Sequence, residues 1–376
     1  MTELNYDTED RAVAALNKYG HALFQQFPVI NYLAVAPNQK GFEIKIGSTS
    51  GNPIKLKKYA VPLFQEFIHG FHSMASSEVI LDELNTEIAN QSIKTYKSGK
   101  FEKFLDDIDY INRDGELTKL EPSDRIHGGI HIGLSGRPAG TLGGIFQLEH
   151  EDLGDEFFGI SNWHVLCQAH ELGVDIFQPG FPYNENVDNL EDYICGKLCW
   201  YCFDDYREAA FVHFNKEAVD RIFRENACAV TLTGKTNHSM YNETVSVCGL
   251  LRSGEGNVGK LENDQIFSRH AMVRMSNSLF PNTQYGKNTM IFSDQILIDK
   301  LSDPGDSGSL LFNDQKEVLG LVFGQTDKTV YPQMSVANKI ENIFGRTFDS
   351  HQEHCSELKV NGVVYELEKF KISTIY

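Results

Sequence analysis

Residues 305–308 combine a hydroxyl group, a carboxylate and two glycines in the string Gly305-Asp306-Ser307-Gly308. A nucleophilic serine needs two backbone N–H groups turned toward one point, where they hold the oxyanion of a tetrahedral intermediate. Gly305 permits the unusual backbone that this requires, and Gly308 lets a second chain approach closely. The pattern therefore indicates nucleophilic catalysis by Ser307, with an oxyanion hole formed by the N–H groups of Gly305 and Ser307.

The residues after Ser307 predict a strand and not a helix. An apolar run at 310–312 leads into the turn residues 313–314, and a second apolar run follows at 318–323. In the nucleophile elbow of an α/β-hydrolase, a glycine stands two residues after the serine and a helix follows. Ser309 occupies that position here, which disfavours an esterase or lipase. A surface turn rich in Gly, Asp and Ser is the alternative that the upstream residues must exclude.

A histidine suited to act as the general base lies 143 residues upstream of Ser307, in the string 161–166 (SNWHVL). A histidine that titrates near neutral pH can take the serine proton and return it to a leaving amine. The chain has 13 histidines, and most histidines are surface or core residues. His164 differs because it follows a predicted strand at 157–161 and precedes a short apolar turn. We predict that His164 is the general base.

The orienting carboxylate is predicted to be Glu208, at the start of a predicted strand in the string 206–214 (YREAAFVHF). A carboxylate in this role accepts the imidazole Nδ1–H, fixes the tautomer and stabilises the imidazolium. Asp204 and Asp205 are the alternatives. A glutamate that merely begins a strand is a further interpretation.

These three strings together resemble the trypsin-like serine peptidases of the chymotrypsin fold, of the bacterial or plant intracellular type without disulfides. The resemblance covers residues 125–346. It implies two antiparallel β-barrels with the site between them, and hydrolysis of a protein or peptide substrate through an acyl-enzyme, without metal or cofactor. Glu208 departs from the family's aspartate, and Ser309 from its glycine. A catalytically impaired binding module with the same fold is therefore the alternative function.

The resemblance also implies a substrate pocket formed by Leu301, Phe323 and Gly324. Peptidases of this family that prefer Lys or Arg carry an acid six residues before the serine, and Leu301 stands at that position. We therefore expect an apolar or small residue on the acyl side of the scissile bond.

Residues 125–129 (RIHGG) resemble the activation site of trypsin-like zymogens. Cleavage after Arg125 would create an ammonium at Ile126 that pairs with Asp306. His127 fits this pattern poorly. The alternative is that these residues begin the first strand of a peptidase that is competent without cleavage.

The net charge of −18 over 376 residues argues against general affinity for nucleic acid or an anionic membrane. We expect no secretory signal at the N-terminus, because it carries early acidic residues and no apolar core. Seven cysteines are then predicted to be reduced thiols in a cytoplasm. Cys195, Cys199 and Cys202 could ligate zinc, but their spacing fits no standard zinc pattern, so no metal site is predicted.

Three regions are predicted: an N-terminal α+β domain at 1–124 that regulates or recruits, a peptidase domain at 125–346, and a C-terminal extension at 347–376. The predicted elements of the first region are a helix at 8–27, strands at 32–36 and 42–46, and mostly helix over 61–112. A helix is predicted at 335–344, and Asn361-Gly362 predicts a hairpin in the extension. The fold class is mainly β. The oligomeric state is left open.

Overall fold

The computed structural model describes most of the chain outside residues 49–124. The described residues are 6–28, 30–39, 41–48, 96–97, 101–102, 125–135, 139–150, 154–167, 171–180, 189–222, 241, 244–248, 261–276, 280–299, 302, 305–315, 317–326, 334–344, 357–365 and 371–375. The helices predicted within 61–95 and 103–112, and the pocket residue Leu301, lie outside this set.

Strands dominate the described part. They are β1 (Ile30–Asn38), β2 (Gly41–Ser48), β3 (Tyr96–Lys97), β4 (Phe101–Glu102), β5 (His131–Ile132), β6 (Gly140–Thr141), β7 (Gly144–His150), β8 (Gly154–Ser161), β9 (Asp175–Phe177), β10 (Ile194–Phe203), β11 (Glu208–Phe214), β12 (Thr244–Cys248), β13 (Leu261–Ser276), β14 (Thr289–Asp299), β15 (Leu310–Asn313), β16 (Val318–Thr326), β17 (Met334–Lys339), β18 (Leu358–Val360), β19 (Val363–Tyr365) and β20 (Lys371–Ile375). The helices are α1 (Glu9–Gln26), α2 (Trp163–Leu166), α3 (Lys216–Asp220) and α4 (Ile340–Phe344), with a 3₁₀ turn at Leu190–Tyr193. The mainly β fold predicted from the sequence is confirmed.

Six antiparallel strands form a ring, and Ser307 lies just before one of them, β15. The order β12-β15-β16-β17-β14-β13 closes because β12 also pairs with β13. Buried branched and apolar side chains from all six strands fill its interior, as the close packing of a small barrel requires. These include Val245, Ile266, Ile298, Leu311, Val322 and Ala337. We refer to this ring as the second barrel.

Glu208 lies in a separate six-stranded sheet, in the order β20-β7-β8-β11-β10-β9, and His164 lies on helix α2, which directly follows β8 of that sheet. The short hairpin β5–β6 adjoins this sheet through a bridge between Gly133 and Phe177. The C-terminal strand β20 pairs with β7, so the last residues of the chain complete one edge of the sheet. We refer to these strands as the first sheet.

The N-terminal helix and hairpin are built as predicted, but they share a sheet with the second barrel. Thr8 caps α1 by accepting a hydrogen bond from the Arg11 N–H at 3.4 Å. The helix buries an apolar face against β1 and β2, which pair around the predicted turn. Strand β1 also pairs with β13, for example Leu33 opposite Met272. The predicted boundary at residue 124 stays a prediction, because residues 103–124 lie outside the described part.

Two helix predictions are wrong in part. Phe101–Glu102 is the strand β4, which pairs with Gln325 and Thr326 of β16 on one side and with the end of β13 on the other. Residues 334–339 form β17, and only Ile340–Phe344 is helical. In both cases backbone pairing with two neighbouring strands outweighs local helical periodicity.

The C-terminal hairpin predicted at Asn361-Gly362 is confirmed by β18 and β19. Both turn residues have positive φ, 50° and 85°, as a two-residue hairpin of this type requires. Leu358 and Val360 are buried among aromatic residues of the first sheet. The extension therefore covers part of that sheet.

A disulfide bond at Cys202 contradicts the expectation that all seven cysteines are reduced. Cys167, Cys195 and Cys199 are buried free thiols, whereas Cys202 is disulfide-bonded to a cysteine whose side chain lies outside the described part. Burial raises the pKa of the Cys195 thiol to about 12, so this thiol stays protonated. Within the described residues, no group of acidic, His and Cys side chains could hold a metal ion. No helix of the described part is long and apolar enough to cross a membrane.

Candidate active site

His164 lies on the single-turn helix α2, directly after β8. The carbonyl of Asn162 accepts hydrogen bonds from the N–H groups of Val165 and Leu166 and so closes the turn. Trp163, next to His164, stacks on Phe203 with ring centroids 4.3 Å apart. Because every side chain of α2 is buried, the helix has one packing arrangement, and the imidazole is fully buried with it.

The predicted partners His164 and Glu208 are brought together. Nδ1 of His164 lies 2.5 Å from Oε1 of Glu208, and both side chains are fully buried. A carboxylate only accepts, so the imidazole Nδ1–H is the donor, and Nε2 is left for proton transfer. The contact follows from the sheet, because Ser161 at the end of β8 pairs with Ala210 near the start of β11.

Neither alternative aspartate occupies this position. The carboxylate of Asp204 accepts from the backbone N–H and the Nε of Arg207, both at 3.0 Å, and closes the turn before β11. The Asp205 side chain is exposed. The carboxylate that contacts His164 is therefore that of Glu208.

The loop that carries Ser307 has the backbone its glycines predict. Gly305 and Gly308 have φ of 100° and 98°, which favour glycine over any other residue. A Cβ on Gly308 would lie 2.2 Å from Ser161 Oγ, so the loop is pressed against the end of β8. The Gly308 N–H donates to the Val322 carbonyl at 2.8 Å, which fixes the loop on β16.

Thr141 connects the hairpin β5–β6 to this loop, and the sequence does not single it out. Its N–H donates to the Ser307 carbonyl at 2.8 Å, and its hydroxyl donates to the Gly305 carbonyl at 2.7 Å. Its own carbonyl accepts from Ser161 Oγ at 2.7 Å. The peptide group before Asp306 and the peptide group after Ser307 are thus held from β6. The only hint in the sequence is the glycine-rich stretch around Thr141.

Strand β6 also shows how close α2 and the nucleophile loop lie. A Cβ on Gly140 would lie 2.6 Å from Val165 Cγ2 and 2.7 Å from the Ser307 carbonyl oxygen. The helix of His164 and the loop of Ser307 therefore meet at one glycine. Ser307 Oγ is buried and makes no hydrogen bond within the described part of the chain. The bond from serine to imidazole is thus not formed here, and in free enzymes such bonds are often long.

The remaining predicted residues are placed less directly. Phe323 is fully buried, with its ring centroid 5.1 Å from that of Phe292, and Gly324 is buried beside it. Their role in a substrate pocket stays a prediction. The Ile126 N–H donates to the Arg221 carbonyl at 2.8 Å in the uncut chain. Cleavage at Arg125 also stays a prediction.

Neither the protein-family models nor the curated proteins include a match to this chain. Among solved structures it is similar to a glutamic acid-specific serine protease, at 11% identity and a TM-score of 0.38, over 58% of this chain and 96% of that chain. It is similar to Thermobifida fusca Protease A at 14% identity and a TM-score of 0.35, over 59% of this chain and 95% of that chain. It is similar to Cellulomonas bogoriensis chymotrypsin at 14% identity and a TM-score of 0.35, over 59% of this chain and 94% of that chain. These three solved structures, to which the fold of this chain is similar, are serine proteases of the chymotrypsin fold.

Proposed function

We propose that this chain is a serine endopeptidase in which Ser307 is the nucleophile, His164 the general acid and base, and Glu208 the orienting carboxylate. The observation that carries the proposal is the buried 2.5 Å contact between His164 Nδ1 and Glu208 Oε1, beside a loop whose glycines adopt positive φ. A buried imidazole held by a carboxylate next to a buried serine is the arrangement that acyl transfer needs.

The mechanism follows from these roles. Ser307 Oγ attacks the carbonyl carbon of the scissile peptide while His164 Nε2 takes the hydroxyl proton. The N–H groups of Gly305 and Ser307 bind the oxyanion that forms. His164 then gives the proton to the leaving amine, and an acyl-enzyme remains. Water attacks the ester, again losing its proton to His164, and the acid product leaves as Ser307 regains its hydrogen.

Glu208 contributes by stabilising the imidazolium that exists after each proton transfer to His164. It remains a carboxylate throughout, since its function is to hold the tautomer and the ring orientation. Because glutamate is one methylene longer than the family's aspartate, the main chain of Glu208 must lie slightly further from the imidazole.

For the substrate we propose an extended peptide with an apolar or small residue on the acyl side of the scissile bond. The absence of an acid at Leu301, together with the apolar Phe323 and small Gly324, supports this preference. Residues 1–124 are proposed to regulate the site or recruit its substrate, and the chain is proposed to act in a cytoplasm.

The test is hydrolysis of an unbiased peptide library by the full chain, with Ser307→Ala as the matched control. We expect cleavage after apolar or small residues by the parent protein and none by the control. Cleavage after Lys or Arg would contradict the proposed preference of the pocket for apolar or small residues. Binding of peptides without cleavage would identify the chain as a binding module.

A further inference from the structure

Asn338 contacts the backbone of the proposed orienting carboxylate from the other side of the site. We propose that Asn338 is a positioning residue, which places Glu208 in register with the nucleophile loop. The proposal rests on the proposed function, because it assigns a role within the same site. It follows from the burial of Asn338, its two hydrogen bonds and its place in the second barrel.

The side chain of Asn338 pairs with both backbone groups of Glu208. Its Oδ1 accepts from the Glu208 N–H at 3.2 Å, and its Nδ2 donates to the Glu208 carbonyl at 3.1 Å. A side-chain amide can donate from one atom and accept at another, whereas a carboxylate lacks the donor. The amide reproduces the pair of bonds that a neighbouring strand would make.

Asn338 is fully buried, so these bonds are made in a region from which water is excluded. A buried amide without partners would cost a desolvation penalty, which explains why both polar atoms of Asn338 are hydrogen-bonded. The burial of Asn338 by itself does not distinguish a positioning residue from one that only stabilises the fold. The location of the two partners argues for a role in the site, because both groups belong to Glu208, whose carboxylate contacts His164.

The same strand carries the contact to the nucleophile loop. Ala337, the neighbour of Asn338 in β17, pairs with Val322 of β16. The backbone of Val322 in turn bonds to Gly308 N–H at 2.8 Å and to the Ser309 carbonyl at 2.9 Å. A short, fully hydrogen-bonded path thus links the loop of Ser307 to the backbone of Glu208.

A second amide completes the clamp from the side of the general base. Asn162, which closes helix α2, donates its Nδ2 to the Glu208 carbonyl at 3.2 Å. The Glu208 carbonyl therefore receives one donor from the first sheet and one from the second barrel. Its N–H is satisfied by Asn338. The backbone position of Glu208 sets the point from which its three side-chain torsions start, so fixing the backbone limits the positions that its carboxylate can reach.

The experiment compares Asn338→Ala with Asn313→Ala in the full chain. Asn313 is the matched control, because it is also a buried asparagine of the second barrel, with its amide bonded to the N–H and carboxylate of Glu317. We expect Asn338→Ala to lower kcat by up to about 100-fold with little change in KM, as misplacement of a catalytic group does. The acid limb of its kcat/KM profile should move to lower pH, since a displaced carboxylate stabilises the imidazolium less. Asn313→Ala should change neither.

A second readout does not depend on turnover. The Nδ1 proton of His164, held by a 2.5 Å contact, should give a far-downfield proton resonance that moves upfield in Asn338→Ala and stays in place in Asn313→Ala. If Asn338→Ala does not fold, Asn338→Thr keeps one hydroxyl partner on a strand-favouring residue and should show a partial shift. Unchanged kcat, pH profile and resonance in a folded Asn338 variant would overturn the proposal. A resonance that responds in a chain without peptidase activity would reject the proposed function and retain the positioning role.

Discussion

The Thr141 hydroxyl donates a hydrogen bond of 2.7 Å to the Gly305 carbonyl, across the junction between the hairpin β5–β6 and the nucleophile loop. This bond fixes the peptide group that follows Gly305, two residues before Ser307. Because Gly305 has a φ of 100°, a conformation open to glycine, the loop could adopt other backbones if the bond were absent. The orientation of the Gly305–Asp306 peptide group, which lies between the proposed oxyanion donors Gly305 N–H and Ser307 N–H, therefore depends on a residue from another element.

Replacing Thr141 by valine is expected to lower both stability and turnover. Valine keeps the shape of threonine but cannot donate, so a buried carbonyl loses its partner at a cost of about 1–3 kcal/mol in the free energy of unfolding. The loop should also lose its defined orientation, which should reduce kcat more than it changes KM. Denaturant unfolding and steady-state kinetics measure the two effects. Thr141→Ser keeps the donor and should keep most activity, and equal kcat for the valine and serine variants would contradict this role.

Substitutions at the carboxylates separate Glu208 from its neighbours. Glu208→Gln should lower kcat by several orders of magnitude, because an amide can favour the wrong imidazole tautomer. Asp205→Asn should leave kcat unchanged, since Asp205 is exposed. The kinetics of both variants, measured on the same peptide, check this. A large loss in Asp205→Asn with none in Glu208→Gln would show that the acid is assigned wrongly.

The proposed His164–Glu208 pair can be predicted from the sequence because each residue lies next to a strand boundary with a strong local pattern: Glu208 begins β11, and His164 follows the end of β8. The strings at 161–166 and 206–214 contain the residue type that the chemistry needs, and each also predicts a strand boundary. Ser307 can be predicted for the same reason, because the glycines on either side of it at 305 and 308 indicate an unusual backbone conformation. Local patterns of this kind survive folding because the neighbouring residues that produce them also form the site.

Asn338 and Thr141 could not be found in this way, because their role depends on contacts between distant segments. The apolar spacing of 335–344 predicted a helix, whereas the structure pairs Asn338's strand with β14 and β16. Thr141 lies in a two-residue strand with no pattern of its own. The disulfide at Cys202 could likewise not be predicted from the sequence, since an odd number of cysteines neither indicates nor excludes a single bridge.

His131 makes the stability of the protein dependent on pH. It lies in β5 with only 4% of its surface exposed, and burial lowers its pKa to about 3 from 6.5. The unfolded chain therefore binds a proton at a higher pH than the folded chain does. Stability from this residue is complete above pH 6.5 and is lost as the pH falls toward 3, with a slope of up to about 1.4 kcal/mol per pH unit.

Denaturant unfolding at pH 7 and pH 5 measures this effect in the parent protein and in His131→Gln, which cannot be charged. The parent should lose more stability between the two pH values than the variant. The other histidines are common to both proteins, so the difference reports His131 alone. The same loss in both proteins would contradict the assignment.

The disulfide at Cys202 can be mapped directly. Because Cys167, Cys195 and Cys199 are free thiols, the partner is Cys228, Cys248 or Cys355. We expect Cys355, because it stands three residues before Leu358, which is buried among residues of the Cys202 strand. Peptide mapping of the unreduced, alkylated protein should yield one cross-linked pair containing Cys202. Alkylation of all seven cysteines before reduction would contradict the bridge.

The central claim, that Ser307 is an activated nucleophile, is tested most directly by a fluorophosphonate probe. The reagent forms a stable ester only with a serine whose oxygen is activated by a base and whose oxyanion is held by donors. We predict that mass spectrometry finds one adduct per chain, on the peptide containing Ser307, and none in Ser307→Ala or His164→Ala. An unlabelled parent protein, or labelling that persists in Ser307→Ala, would contradict the account.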